Sequence, residues 1–200
     1  MSSKSRRLDS VCVYCASSNA ADPDFLAAAD TLGGLIAGEG LRLVYGGGGV
    51  GLMGATARAA HKAGGKVLGI IPHFLTSHER PLQEVPTIIV QSMHERKMMM
   101  FEEADAFAIL PGGIGTLEEV IELLSWRRLG LHAKPIVFLN AKGFWNPLFE
   151  VFEHIHGQNL IPEEFRETWR SVDTVEEVLP ALRDMPTTAF MSSAGIEEMT

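Results

Sequence analysis

The stretch Ala106-Phe107-Ala108-Ile109-Leu110-Pro111-Gly112-Gly113-Ile114-Gly115-Thr116-Leu117-Glu118-Glu119 decides how this chain folds. Its first five residues form an unbroken apolar run, the habit of a strand buried on both faces of a parallel sheet. Pro111-Gly112-Gly113 breaks that run, and residues 114–129 then follow an amphipathic helical period. Strand, glycine loop and helix together make one βα unit.

Similar units lie on both sides. Residues 11–15 read as a strand, and Asp22-Pro23 opens a helix reaching about residue 37, with Asp as cap and Pro in the first helical position. Residues 41–45 form a second strand, residues 46–51 a glycine loop, and residues 52–63 a helix stopped by Gly64-Gly65. A third strand covers residues 66–71. Residues 72–86 hold three prolines and no period, so they read as a loop able to line a site. A strand at 87–90, a helix at 93–103, a strand at 135–139 and helices near 146–156 and 174–183 complete the pattern. Such alternation predicts an α/β, Rossmann-like three-layer fold, a parallel β-sheet flanked by helices. One domain is expected over residues 8–185, with 1–7 and 186–200 as flexible ends.

Composition narrows the partners. Hydrophobic residues make up 46% and charged residues 21%, the balance of a globular chain with a real core. A formal charge of -8 repels a phosphate backbone, so nucleic acid is not expected. Small anions stay open, because a helix N-terminus binds one even in an acidic protein. No run nears the roughly 20 apolar residues of a spanning helix, and the basic start lacks a signal-type apolar segment, so no membrane association and a cytoplasmic location are expected. Cys12 and Cys15 lie within a strand-like run, where residues three apart face opposite ways and sit about 10 Å from each other, beyond disulfide reach. No metal is expected: His154 and His156 do not share a helix face, and His73 and His78 lack a third ligand.

Two glycine loops follow strands and open helices, at the sheet edge where α/β proteins bind ligands, and both are expected to face one cleft. The first contains a formal G-x-G-x-x-G at Gly49, Gly51 and Gly54. A dinucleotide site also wants an acid at the tip of the next strand, and Ile70-Ile71-Pro72-His73 supplies none. Neither loop ends in Gly-Lys-Ser or Gly-Lys-Thr, which argues against a triphosphate. In the second loop three glycines and Thr116, at the start of a helix, suit a single phosphate group. Spacing leaves two readings of Glu119 open: a carboxylate in the helix's first turn beside the sugar that the phosphate carries, or a complement to the helix dipole. Arg96 either meets an anion at the same edge or lies on a solvated helix face, the simpler reading by spacing. Met98-Met99-Met100-Phe101 reads as core packing.

With these residues together, the sequence resembles the LOG ("lonely guy") family of cytokinin riboside 5′-monophosphate phosphoribohydrolases, whose members are often labelled lysine decarboxylase-like. The resemblance rests on P-G-G-x-G-T-x-x-E at Pro111, Gly112, Gly113, Gly115, Thr116 and Glu119, on Arg96-Lys97, and on Gly46-Gly47-Gly48 with Gly51-Leu52-Met53-Gly54. It implies a nucleoside 5′-monophosphate as substrate, no cofactor, and Arg96 with Glu119 as the catalytic pair. It also implies phosphate and ribose contacts from Gly112, Gly113, Ile114, Gly115, Thr116, Leu117 and Glu118, with Lys97, Ser125 and Glu79. Ser17, Ser18, Gly47 and Met93 join them at the same edge. Ile114 stands where plant members often carry tyrosine and Ser125 where threonine is common, which leaves base preference open between AMP and an isoprenoid-modified base. Hydrolysis through an oxocarbenium-like sugar gives Glu119 the part of stabilising positive charge or activating water, with Arg96 positioning. A homodimer is implied, with helices near Trp126 and Arg127 as the contact. Two other classes remain: a non-catalytic nucleotide carrier, and an amino-acid decarboxylase using Lys97 as a Schiff base.

Overall fold

The computed structural model describes residues 8–186. In chain order the first half comprises β1 (Ser10–Tyr14), α1 (Pro23–Gly38), β2 (Arg42–Tyr45), α2 (Gly51–Lys62), β3 (Val67–Pro72), a short α3 (Thr76–Glu79) and β4 (Thr87–Val90). The second half comprises α4 (Met93–Glu102), β5 (Ala106–Ile109), α5 (Ile114–Arg128), β6 (Ile136–Leu139), α6 (Asn146–Gly157), β7 (Arg170–Val172) and α7 (Val178–Asp184). The seven strands form one sheet in the order β4-β3-β2-β1-β5-β6-β7, and every pairing is parallel.

Strand alternation divides the core in two. Val11 and Val13 of β1, with Cys15 just beyond its end, pack with α1, α2 and α7, while Cys12 and Tyr14 pack with α4, α5 and α6. Cys12 and Cys15 therefore belong to opposite faces of the sheet, both buried as free thiols, as a strand requires. No helix among the described residues is long and apolar enough to cross a membrane.

The strand order reverses at β1, between β2 and β5. Loops after β1 and β5 diverge there, which opens a crevice at the carboxyl edge of the sheet.

Three departures from the sequence reading have local causes. The loop at 72–86 carries helical turns at His73–Leu75 and Thr76–Glu79, ended by Arg80 with φ 46°. A seventh strand, Arg170–Val172, pairs with the outer edge of β6; its sequence is short and largely exposed, so it has no apolar run to announce it. Pro186 was expected in a flexible tail, but its carbonyl accepts a hydrogen bond from the Arg127 guanidinium. The expectation for 1–7 and 187–200 lies outside the described residues.

Candidate active site

A cleft of about 280 Å³ occupies the crevice. Every strand from β1 to β5 sends it at least one residue through the segment that follows: Ser17 and Ser18 after β1, Met53 after β2, Glu79 after β3, Met93 and Arg96 after β4, and Gly113–Thr116 with Glu119 after β5. Cys15 and Ala16 form part of the wall.

The two glycine loops do different work. The first is closed by protein groups: Gly49 N–H donates to the carbonyls of Glu79 and Arg80, Gly51 N–H to Asn19 Oδ1 at 2.8 Å, and the Leu52 and Met53 amides to the Ala16 carbonyl. Its glycines serve close packing; a Cβ on Gly54 would stand 2.3 Å from the Gly49 carbonyl oxygen. Of that loop and the helix start only Met53 reaches the cleft, so the expectation that both loops face the ligand is corrected. Gly47, with φ 79°, is buried against Ile70 and Ile71 and does not line the cleft.

The second loop is open. α1 is capped by the Asp22 carboxylate and α4 by the Ser92 hydroxyl, whereas α5 has Gly113 in its cap position and so no side-chain cap. Its first backbone bond runs from Leu117 N–H to the Gly113 carbonyl, which leaves the amides of Ile114, Gly115 and Thr116 without helical partners. A Cβ built on Gly113 or Gly115 meets nothing within 4 Å, and neither has positive φ, so the fold itself does not require glycine at either position. What glycine provides is an unobstructed approach to the amides. Gly112 differs: a Cβ there would collide with Thr116 Oγ1 at 2.2 Å, so it supports the loop from behind. Gly115→Ala should therefore keep or raise Tm, since alanine is the better helix former by about 1 kcal/mol. The same change should weaken AMP binding about tenfold, the loss of roughly one hydrogen bond; calorimetry on the one variant checks both.

Arg96 is buried rather than on a solvated face. Its Nη2 donates to the Gly46 carbonyl at 2.9 Å and lies 3.8 Å from Glu79 Oε2. Gly46 makes room for it, because a Cβ there would stand 2.0 Å from Nη2. Arg96 Nε and Glu79 Oε2 are both buried without a hydrogen-bond partner, so a cation and an anion reach the cleft with capacity to spare. Gly46→Ala should displace the guanidinium and lower kcat/KM by about 10²-fold, the cost of a small misplacement, with little change in the melting curve.

Glu119 lies in the second turn of α5, not the first, with its carboxyl in the cleft wall. Burial raises it from the ordinary 4.5 to about 7; Arg96 works against that rise, and the charges of Glu118 and Glu79 add to it. Burial also raises Glu79, against the pull of Arg96.

The remaining expected residues lie elsewhere. Lys97 pairs with Glu118 and, at 3.0 Å, with Glu122, which bridges α4 to α5 outside the cleft. Burial works against its charge, but those hydrogen bonds hold the ammonium above the usual lysine range. A Schiff-base lysine needs the opposite shift, and no lysine lines the cleft among the described residues, so pyridoxal does not fit here. Leu117, Glu118 and Ser125 border a separate, largely apolar groove with Ile114, Ile121, Glu122 and Trp126. Arg127, expected at a dimer contact, is fully buried and donates to the carbonyls of Lys134 and Pro186 within this chain. Cys15, Ala16 and Met53 were not singled out as site residues; Cys15 and Ala16 end the strand beside the switch point, a position the topology rule marks.

Residues 53–182 match the family described as possible lysine decarboxylase. Cytokinin riboside 5′-monophosphate phosphoribohydrolase LOG of Oryza sativa subsp. japonica is 40% identical over 181 residues, covering 89% of this chain and 74% of that protein. The chain belongs to the LOG family. A second LOG relative, cytokinin riboside 5′-monophosphate phosphoribohydrolase LOG3 of Arabidopsis thaliana, is 39% identical over 183 residues, covering 91% of this chain and 84% of that protein. Among solved structures, the molybdenum cofactor binding protein from Rippkaea orientalis superposes with a TM-score of 0.65 at 26% identity, over 88% of this chain and 96% of the other. The LOG fold is thus shared with proteins named for a different ligand, and function has to be argued from the cleft.

Proposed function

We propose that this protein hydrolyses the N-glycosidic bond of nucleoside 5′-monophosphates, cytokinin riboside 5′-monophosphates and AMP among them, releasing the free base and ribose 5-phosphate. The observation that carries the reading is that one cleft holds the Glu119 carboxylate, an uncapped helix N-terminus and the buried Arg96 guanidinium. The phosphate docks on the amides of Ile114, Gly115 and Thr116, with Gly113 giving access and Gly112 holding the loop. Arg96 and Glu119 then act at the sugar and base, with Glu79, Ser17 and Met93 lining the remaining wall. The names of the relatives support the same reaction.

The same proposal takes residues 8–185 as one catalytic unit working in the cytoplasm as a homodimer. Exposed Ile114 and Ile121, with half-buried Trp126 and Leu117 and with Ser125, form the apolar face for the second copy. Such contact would bring Lys97, Glu118 and Ser125 close to the phosphate end of the cleft, since Ile114 borders both cavities. Gly47 acts from behind, by shaping the loop under Arg96.

Incubation with AMP and isopentenyladenosine monophosphate tests the reading. Free base and ribose 5-phosphate should appear in equal amounts, and the corresponding nucleosides should react far more slowly. Binding of either nucleotide without any release of base would contradict it.

A further inference from the structure

The cleft wall carries two carboxyls, Glu79 and Glu119, and among the described residues only Glu79 has a cation within ion-pair distance. Glu79 is anchored by the Gly49 amide on its carbonyl, its Oε2 rests 3.2 Å from where a Gly48 Cβ would be, and Arg96 Nη2 stands 3.8 Å away. That oxygen is buried without a hydrogen-bond partner, and Glu79 lines the cleft. Glu119 lines the same space from α5 without an ion pair of its own among the described residues; Arg96 acts on it at longer range, and Lys97 is engaged by Glu118 and Glu122. A departing purine needs a proton, and the described cleft-lining residues include no histidine, while a guanidinium does not give one up. Burial pushes the Cys15 thiol far up, which removes it as a donor and as a base.

Building on the proposed hydrolysis, we propose that the reaction runs on a carboxyl pair: Glu79, charged beside Arg96, faces the sugar and the attacking water, and Glu119 gives a proton to the leaving base. Glu79 is then a further catalytic residue, not only a substrate contact. The C1′–N9 bond breaks with its electron pair going to the base, and a ring nitrogen takes the Glu119 proton. The water oxygen bonds to C1′, and its proton passes to Glu79. Exchange with solvent returns a proton to Glu119 and removes one from Glu79, so each cycle consumes one water. Paired carboxyls in unlike surroundings divide acid from base work in this way. This gives Glu119 the donor's part, where the family resemblance implied stabilising positive charge or activating water.

The groups facing the pair are Arg96 from α4, Cys15 just after β1, Cys12 and Tyr14 of β1 on the Glu119 side, and Glu118 and Lys97 near Glu119. Burial raises both carboxyls and Arg96 works against the rise at both; Glu119 is pushed up to about 7.

The test compares AMP with 7-methyladenosine 5′-monophosphate, whose quaternised base departs without a proton, across pH. Glu119→Gln should lose on the order of 10²–10⁴-fold on AMP and stay within about tenfold of the unaltered enzyme on the methylated nucleotide, and its residual AMP activity should lack the fall near pH 7. Glu79→Gln should be slow on both. Unimpaired Glu79→Gln, or Glu119→Gln equally impaired on both with its alkaline limb intact, overturns the division of labour while leaving hydrolysis standing. An unaltered enzyme that cleaves neither nucleotide overturns the hydrolase reading itself.

Discussion

Glu119→Gln is expected to bind AMP within a few-fold of the unaltered protein and to turn it over about 10²–10⁴-fold more slowly, the usual worth of a positioned proton donor or acceptor. That loss corresponds to roughly 3–5 kcal/mol of transition-state stabilisation. Binding is expected to survive because the proposed phosphate site is the uncapped main chain at the start of α5, which the change does not touch. Titration calorimetry beside steady-state kinetics separates binding from turnover. Full activity in the variant would remove Glu119 from the chemistry; lost binding would assign it to holding the substrate.

The same substitution should move stability the opposite way, increasingly as pH rises from 4.5 to about 7. Burial raises the folded-state carboxyl from 4.5 to about 7. A raised acid binds its proton more tightly when folded, so its favourable contribution is intact below pH 4.5, declines between 4.5 and about 7, and is gone above that. Above pH 7 the charged group costs about 3 kcal/mol relative to its state at low pH, because a tenfold change in proton affinity is worth about 1.36 kcal/mol. A neutral glutamine avoids that cost. Glu119→Gln should therefore melt several degrees higher at pH 8 and near the unaltered protein at pH 4.5. A difference in Tm independent of pH would show that the carboxyl is not held in a desolvated place. Stability set aside for activity at one residue is itself a mark of a functional site.

How much of this was legible in the sequence differs by residue. The parallel sheet followed from apolar runs such as 106–110, whose burial on both faces leaves no other explanation, and all five lie in the core. β7 was missed because pairing with β6 comes from main-chain groups on an edge, which no side-chain pattern records. The open loop at Gly112–Thr116 was legible because strand, glycines and helix start are contiguous. Arg96 was not: its place depends on Gly46, fifty residues earlier, and no periodicity links them. Lys97, next to it in sequence, points along a different helix face and finds Glu118 and Glu122 instead. The first glycine loop shows the converse limit, since the G-x-G-x-x-G spacing is real but its amides are already taken by Asn19, Ala16, Glu79 and Arg80.

The central claim is that the uncapped start of α5 holds the phosphate while the carboxyls of Glu79 and Glu119 flank the glycosidic bond. A crystal structure of the Glu119→Gln variant with AMP tests it most directly. Phosphate oxygens are expected within hydrogen-bond distance of the Ile114, Gly115 and Thr116 amides, with the C1′–N9 bond between residues 79 and 119. Phosphate seated instead on the Gly46–Gly51 loop, or a ribose remote from both positions, would contradict it.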